Sequence, residues 1–427
     1  MEVIHISPSY KPAYEYGGPT MSVSQLCEHL QKCDLKLRVL TTTANGKAEL
    51  AVSTGILYSI AGVPVRYFSR ITGDHSHLSP GLNFHLLKVL WRAKKESTPC
   101  IIHVHSWWNL VAILSCLAGR IFKLPVVVSP RGMLTTYSFG HQKSLLKRTG
   151  HAFLGRWLLQ GSHIHATSEQ EKKDILCYVK PKSMVVLPNL VDLPTEQSSL
   201  LPNQRVLAPR SSHLRPKPSH PAHSRSHVAD IPTKPFHHRQ ECNSEPMRPF
   251  KLIYFSRIDR KKGVELLLLA ATSLRIDFTL TLAGTGTKSY VEELKELAKV
   301  LGISKWIQWT GHVSNQDKYA LLMEHDLLVL PSRNENFANV VVESLAVGTA
   351  VLVSEEVGLA DYIVTSQLGW VCSLCAADLA TQIEVISTQK EILAQIRLDG
   401  PKRIYSDFHQ QNLATQYVKF YKRILES

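Results

Sequence analysis

The chain has 427 residues, enough for two domains with separate cores, and its 44% apolar content is that of an ordinary globular protein. Lys and Arg outnumber Asp and Glu by 49 to 35, a formal net charge of +14. Such a surplus suits nucleic acid, anionic lipid head groups or phosphorylated substrates; the charge is scattered and no nucleic-acid motif occurs, so no nucleic-acid partner is expected. The eight cysteines form no disulfide framework, which fits a reducing, cytoplasmic setting. Cys372 and Cys375 make a lone C-x-x-C, and a zinc site needs four ligands, so they read as incidental.

The N-terminal Met1–Ser7 opens directly on a strand pattern, with no basic leader before an apolar core, so no secretory signal is read. Further strands are expected at Leu37–Thr41, Val63–Phe68, Ile101–His105, Val126–Ser129, Ile164–Thr167 and Met184–Leu187. Helical spacing falls between them at Met21–Gln31, Leu86–Lys95 and Val111–Phe122. The last of these is broken by Ser115, Gly119 and Arg120 and is too short to span a bilayer. This alternation predicts a parallel sheet with helices on both faces over residues 1–194. Residues 195–249 are rich in Pro, Ser, Arg and His and read as a disordered insertion or linker; their histidines, such as His213, His220 and His237, lack a regular metal-ligand spacing. Alternation resumes over 250–405, with strands at Leu252–Phe255, Phe278–Ala283, Ile307–Thr310, Leu327–Leu330 and Ala350–Val353, and helices at Val264–Leu274, Tyr290–Leu301 and Gln316–Glu324. The closing segment 406–427 carries Leu413, Tyr417, Phe420, Tyr421 and Leu425 at helical spacing, as a final helix packing back on the first domain would. Two α/β domains of this kind place a cleft between the carboxyl ends of their sheets.

The most informative stretch is Pro331–Gly348. Glu335 falls on the loop after a buried strand, and Glu343 follows with seven residues between them, near the second turn of a helix that ends at Gly348. Between them the free N–H groups of Phe337, Ala338, Asn339 and Val340 form a helix start that attracts phosphate. A carboxylate on each side of such a start suits a nucleotide-sugar, one facing the ribose hydroxyls and the other the sugar. Phe255-Ser-Arg-Ile-Asp-Arg-Lys-Lys-Gly263 follows the first strand of the second domain, and its Arg257 and Lys262 offer a planar fork and a mobile point charge to phosphate oxygens. Gly17-Gly18-Pro19 stands between the first strand and a helix, and Gly284 and Gly286 form a Gly-x-Gly turn after another strand.

In their order, these four landmarks resemble the retaining nucleotide-sugar glycosyltransferases of family 4, of the GT-B architecture with two facing Rossmann-like domains. Leu187–Asp192, Ala166–Glu169 and Gly311–Val313 agree with the same family, and the likeness extends over nearly everything outside 195–249. The resemblance implies that Arg257 and Lys262 contact the donor diphosphate, that Glu343 binds the ribose hydroxyls, and that Glu335 lies beside the donor sugar. It implies transfer to a glycan or lipid-linked sugar acceptor in the making of surface or extracellular polysaccharide, with no cofactor besides the nucleoside-diphosphate sugar. No metal-binding Asp-x-Asp occurs in either α/β domain, so no metal is expected. The basic and apolar segment His141–Arg148, continuing to Arg156 and Trp157, would suit an anionic membrane surface, giving a protein peripheral at the inner face of the cell membrane.

The sequence departs from the family at Ser256, Ala338 and Ala350, where Gly, Gly and Pro are common. Alanine resists positive φ, so the loop at Ala338 is expected to be right-handed. Many members have a histidine after the strand equivalent to Val126–Ser129; here Arg131 stands there, to bind a phosphate or acidic acceptor or to pair with a carboxylate. His105 is the other acceptor-side candidate, with a satisfied sheet-edge residue as the alternative. Three readings compete: an active glycosyltransferase, a nucleotide-sugar-binding protein of this fold that has lost catalysis, and a different nucleotide-sugar enzyme such as an epimerase. Intact Glu335, Glu343, Arg257 and Lys262 favour the first over the second, and the order of the landmarks favours it over the third.

Overall fold

The computed structural model describes residues 1–74, 76–135, 154–194 and 248–427. The segment His141–Arg148 and all but the last two residues of 195–249 lie outside the described residues. The first half of the chain runs β1 (Glu2–Ser7), α1 (Gly18–Gln31), β2 (Lys36–Thr42), a small hairpin of β3 (Ala44–Asn45) and β4 (Ala48–Glu49), β5 (Leu57–Ile60), β6 (Val63–Phe68), α2 (Pro80–Lys95), β7 (Cys100–His105), α3 (Leu110–Phe122), β8 (Val126–Ser129), α4 (Arg156–Gln160), β9 (His163–Ala166), α5 (Glu169–Tyr178) and β10 (Ser183–Val186). The second half runs β11 (Phe250–Phe255), α6 (Val264–Ala271), β12 (Phe278–Ala283), α7 (Lys288–Val300), β13 (Ile307–Gly311), α8 (Lys318–Met323), β14 (Leu327–Leu330), α9 (Asn339–Ala346), β15 (Ala350–Ser354), α10 (Ala360–Ser366), β16 (Gly369–Cys372), α11 (Ala376–Thr388), α12 (Lys390–Asp407) and α13 (Gln410–Glu426).

Among the described residues the first sheet has the order β10-β9-β8-β7-β1-β2-β6-β5, and the second the order β13-β12-β11-β14-β15-β16. All pairings in these two sheets are parallel except β5 on β6, an exposed antiparallel edge. Both sheets reverse direction between the first strand and the strand that follows the crossover: β1 lies beside β7, and β11 beside β14. These are the two Rossmann switch points, where the connecting loops diverge and leave a crevice at the carboxyl ends of the strands. The central strands are continuous apolar runs, such as Leu327–Leu330, because a parallel strand is covered by helices on both faces.

The face of the first sheet that carries Val3, Ile101 and Val127 is covered by α1, and α13 packs beside α1. The opposite face, with Ile4, Ile6, Ile102 and Val104, is covered by α2 and α3. α13 therefore leaves the second domain and buries Leu413, Tyr417, Phe420, Tyr421 and Ile424 against the first. Among the described residues no helix is long and apolar enough to cross a membrane.

Candidate functional site

The loops from both switch points line one cavity of about 610 Å³ between the two sheets. Its wall includes Gly17, Gly18, Arg131, Arg257, Lys262, Gly284, Glu335, Phe337 to Val340, and Glu343. The site thus brings together residues more than 300 positions apart in the sequence. Two helix starts meet across it. α1 begins at Gly18 after a ten-residue loop from β1, and α9 begins at Asn339. A Cβ on Gly18 would lie 4.0 Å from Asn339 Nδ2, and one on Gly17 would lie 3.9 Å from Arg257 Cδ. Gly17 has φ 62 and ψ −130, a backbone that only glycine adopts without strain. The cavity therefore receives unpaired N–H groups and the positive dipole ends of two helices, an arrangement that favours an anion.

Glu335 and Glu343 are each held by a lysine. Lys262 Nζ is in direct contact with Glu335 Oε2, and Lys318 Nζ donates to Glu343 Oε1 at 2.8 Å. Both pairs are mostly removed from solvent, with side-chain exposures of 9% and 19% in the first and 10% and 14% in the second. Burial first, then the Lys261 and Arg257 cations, push the Lys262 ammonium down to about 7. Contact with Glu335 acts in the opposite direction, since a carboxylate at this range favours the charged amine. Asp259 caps the short turn Arg260–Lys262 through Lys261 N at 3.1 Å, which fixes how the two lysines leave the backbone.

The Glu335 loop is pinned from both domains. Glu335 N donates to Glu356 O at 3.1 Å, and Gly358 N donates to Glu335 O at 2.7 Å. From the first domain, Thr167 Oγ1 accepts from Asn336 Nδ2 at 2.6 Å and Ser168 Oγ donates to Asn336 O at 3.1 Å. The Ala166–Glu169 stretch thus serves as an anchor for the loop of the facing domain.

Ala338 contradicts the expectation of a right-handed loop. It has φ 68 and ψ 73 and forms the N-cap of α9 in the left-handed region. Its side chain is 5% exposed and packed in the core, and the pinned loop before it leaves the chain no other way into the helix. Gly286 does not line the cavity. A Cβ there would come within 2.2 Å of Ile258 O, so its bareness lets one loop lie on another.

His105 also stands off the cavity. It ends β7 but is only 1% exposed, beneath Arg131, with its Nε2 2.9 Å from His5 Nδ1 and its Nδ1 3.5 Å from Arg131 Nη2. It belongs to a buried polar group at the carboxyl end of the sheet. His103 bonds Tyr421 Oη and Ser129 Oγ, each at 2.7 Å, and Ser129 Oγ bonds His165 Nδ1 at 2.7 Å. Arg131 lies between this group and the cavity. Its Nη1 donates to Ser22 Oγ at 2.8 Å and to Asn189 Oδ1 at 2.9 Å, and Asn189 Nδ2 donates to Asn339 Oδ1 at 3.1 Å. Among the described residues no carboxylate forms an ion pair with Arg131. Its φ of 53 is a second strained backbone at the cavity wall.

Lys318 and Asn189 were not singled out by sequence reasoning. Asn189 sits within Leu187–Asp192, and Lys318 lies seven residues after Gly311; neither carries a signal apart from its neighbours in the folded chain. His5, His103 and His105 put ring nitrogens within 4.8 Å of one another. The Arg131 guanidinium above them opposes a cation there.

Residues 16–194 match the family model described as Glycosyltransferase Family 4, and residues 238–403 match the one described as Glycosyl transferases group 1. Among curated proteins, the glycogen synthase of Mycobacterium tuberculosis strain H37Rv is 30% identical over 175 residues, covering 40% of this chain and 42% of that protein. A D-inositol 3-phosphate glycosyltransferase of Arthrobacter sp. is 31% identical over 143 residues, 32% of this chain and 34% of that protein. The chain thus spans less than half the length of these curated relatives. Among solved structures, the sucrose-phosphate synthase of Thermosynechococcus elongatus aligns with a TM-score of 0.69 at 16% identity over 100% of both chains. The HepE protein of Anabaena, solved in complex with UDP, aligns with a TM-score of 0.68 at 17% identity over 99% of this chain and 100% of that one. At such identities the structural likeness speaks to the fold, and that fold is GT-B. With two family models matching the two domains in order, the chain belongs to the family 4, group 1 glycosyltransferases.

Proposed function

We propose that this protein moves a sugar from a nucleoside-diphosphate sugar to a hydroxyl of a glycan or lipid-linked acceptor, with retention at the anomeric carbon, in the making of surface or extracellular polysaccharide. The observation that carries the reading is the arrangement of Lys262–Glu335 and Lys318–Glu343 on either side of the α9 start, facing the start of α1. An anion entering between them meets Arg257, Lys262 and the N–H groups of α9. These groups would stabilise the negative charge that grows on the departing diphosphate, where a dry, preorganised site makes each donor count for more than it does in water. When the diphosphate takes up the Lys262 ammonium, Glu335 is released to face the sugar and the positive charge developing at its reacting carbon. Glu343, oriented by Lys318, has its remaining oxygen free for the ribose hydroxyls. Arg131 stands where an acceptor would approach and supplies a fixed cation for an acidic or phosphorylated one.

Solved relatives with this fold include the HepE protein with UDP-glucose, which makes a uridine donor the first to try. Titration calorimetry with UDP, GDP and ADP on the wild type and on Glu343→Ala tests the reading. Selective binding of one nucleotide, weakened on the order of tenfold or more by the substitution, is expected. No binding of any of the three by the wild type would sink it. Product analysis then separates transfer, which frees the nucleoside diphosphate, from epimerisation, which leaves it attached.

A further inference from the structure

The side of the first domain away from α13 carries a surface that the donor site does not use. α2 turns Leu82, Leu86, Val89, Leu90 and Ala93 to the core. Its opposite stripe, at three- and four-residue spacing, is Phe84, Leu87, Lys88, Trp91 and Lys95. Phe84 is 72% exposed and Trp91 55%. A soluble helix places its polar residues on that side, so two large aromatic rings and a leucine there call for an explanation. The stripe has neighbours of the same kind. Lys94 Nζ donates to Phe122 O at 3.3 Å, tying α2 to the end of α3, where Ile121 is 65% exposed. The Arg120 guanidinium of α3 lies 4.2 Å over the ring of Trp157 on α4, and Trp157 and Leu154 are exposed as well.

Charge on this side is one-sided. Lys88, Arg92, Lys94, Lys95, Lys123 and Arg156 are exposed, and the only carboxylate in residues 80–135 and 154–160 is Glu96. We infer that the outer surface of α2, α3 and α4 docks the protein on a bilayer with anionic head groups. Charge complementarity chooses the occupant. A protein partner's interface core is depleted of lysine, whereas here lysines alternate with Phe and Trp. At a membrane boundary the rings sit at head-group depth while lysine stems lie along them and the ammonium groups reach the phosphates. The surface rests on the membrane and does not cross it. Both α2 and α3 begin at the carboxyl ends of their preceding strands, the side on which Arg131 lines the cavity. Trp91, Lys95 and Ile121 lie towards the other ends of these helices, near the amino ends of β7 and β8, so docking leaves the cleft uncovered. The inference stands on this surface alone and is independent of the donor-site reading.

Flotation of the full chain with vesicles tests it. Vesicles of phosphatidylglycerol and phosphatidylcholine should carry the wild type at low ionic strength, vesicles of phosphatidylcholine alone should not, and high salt should release it. Phe84→Ser with Trp91→Ser, and Lys88→Glu with Lys95→Glu, should each lower partitioning on the order of tenfold or more. Val300→Ser, at an exposed apolar position of the second domain, should leave it unchanged. Brominated phosphatidylglycerol should quench tryptophan fluorescence in the wild type and less so in the Phe84/Trp91 variant, which needs no comparison of affinities. Failure of the wild type to float with anionic vesicles, or flotation untouched by both paired variants, would overturn the inference. So would a wild-type dimer in light scattering that both variants dissociate, since the surface would then be a protein interface. Nucleotide titration on the same samples reports the donor site separately: vesicle binding without nucleotide binding sinks only the donor reading, and the reverse sinks only this one.

Discussion

At the scale of single residues, the site holds strain and charge that a substitution can release. Ala338 at φ 68 costs roughly 1–2 kcal/mol relative to a glycine in the same place, and Gly is also the better N-cap. Against this, Gly→Ala differences in chain entropy favour alanine by about 0.4–1 kcal/mol. Ala338→Gly should therefore raise the unfolding free energy by up to about 1.5 kcal/mol in urea titration, with nucleotide affinity retained. A loss of stability would mean that the packing of its methyl group outweighs the backbone strain. Lys262 yields a second expectation. Its ammonium is pushed down to about 7 by burial and by its cationic neighbours, with Glu335 limiting the effect. A bound diphosphate restores the charged form, so nucleotide binding at about pH 8 should take up a fraction of a proton. Calorimetry in buffers of different ionisation enthalpy measures that fraction directly, and Lys262→Met should abolish it. At Lys318 and Glu343, truncating either partner strands the other in a mostly buried place. A double-mutant cycle with Lys318→Met and Glu343→Gln should show a coupling of about 1–2 kcal/mol in nucleotide binding. Independent effects would mean that Lys318 does not orient the carboxylate.

At the scale of elements, β1, β7 and β9 explain what was legible and what was not. Their apolar runs announced buried parallel strands, because helices cover both faces of such a sheet. Arg257, Lys262, Glu335 and Glu343 were legible through the family resemblance together with their places on short loops or helix starts tied to recognisable strands, and the fold gathers them on one cavity wall. The left-handed Ala338 was not, because its backbone is imposed by Asn336 contacts from Thr167 and Ser168 across the cleft. Nor was the fate of His105. The sequence shows His5, His103, His105 and His165 at strand positions, and only the parallel register places them side by side on one face. That face has a measurable consequence. Burial, with Arg131 adding to it, lowers His5 and His165 to about 3, and His103 and His105 are also lowered by burial and by their charged neighbours. A histidine with a folded pKa below its unfolded value binds fewer protons when folded. Its neutral form is stable above about pH 6.5, and stability is lost as the pH falls below that value towards the folded pKa. At about pH 5 the loss is on the order of 2 kcal/mol for each of His5 and His165, a large share of a typical domain's stability. The urea midpoint should therefore fall steeply from about pH 7 to about pH 5, and His5→Gln should flatten that fall. A midpoint that is level over this range would show that the histidines are charged in the fold.

At the scale of the whole molecule, the two domains are joined by more than the cleft. α13 belongs to the second domain by sequence and to the first by packing. On its way Gln410 Nε2 donates to Val191 O at 2.6 Å, and Tyr319 and Tyr405 donate to the carbonyls of Asp192 and Pro194. The stretch 189–194, which also gives Asn189 to Arg131 and Asn339, is thus clamped by the facing domain along its length. Tyr417 and Tyr421 complete the clamp, each reaching a buried histidine of the first sheet, His165 at 2.8 Å and His103 at 2.7 Å. Burial raises both phenols far above their ordinary value, so each keeps its proton across the working range of pH. Removing these hydroxyls leaves the rings packed but strands polar atoms of the sheet, at about 1–3 kcal/mol each when no other partner is present. His165 Nε2 also lies 2.8 Å from Leu187 O, so Tyr421→Phe should cost more than Tyr417→Phe. The charged groups proposed to hold the diphosphate and ribose sit on the second domain, with the start of α1 facing them, and those proposed to meet the acceptor sit on the first. Tyr421→Phe should accordingly lower the melting temperature of the first domain, leave nucleotide affinity within roughly threefold, and reduce turnover by misaligning the two sides. Scanning calorimetry, nucleotide titration and a coupled nucleotide-release assay measure the three quantities on one sample. A nucleotide affinity that falls as far as turnover would mean that the clamp shapes the donor site itself, and that the division of labour between the domains is wrong.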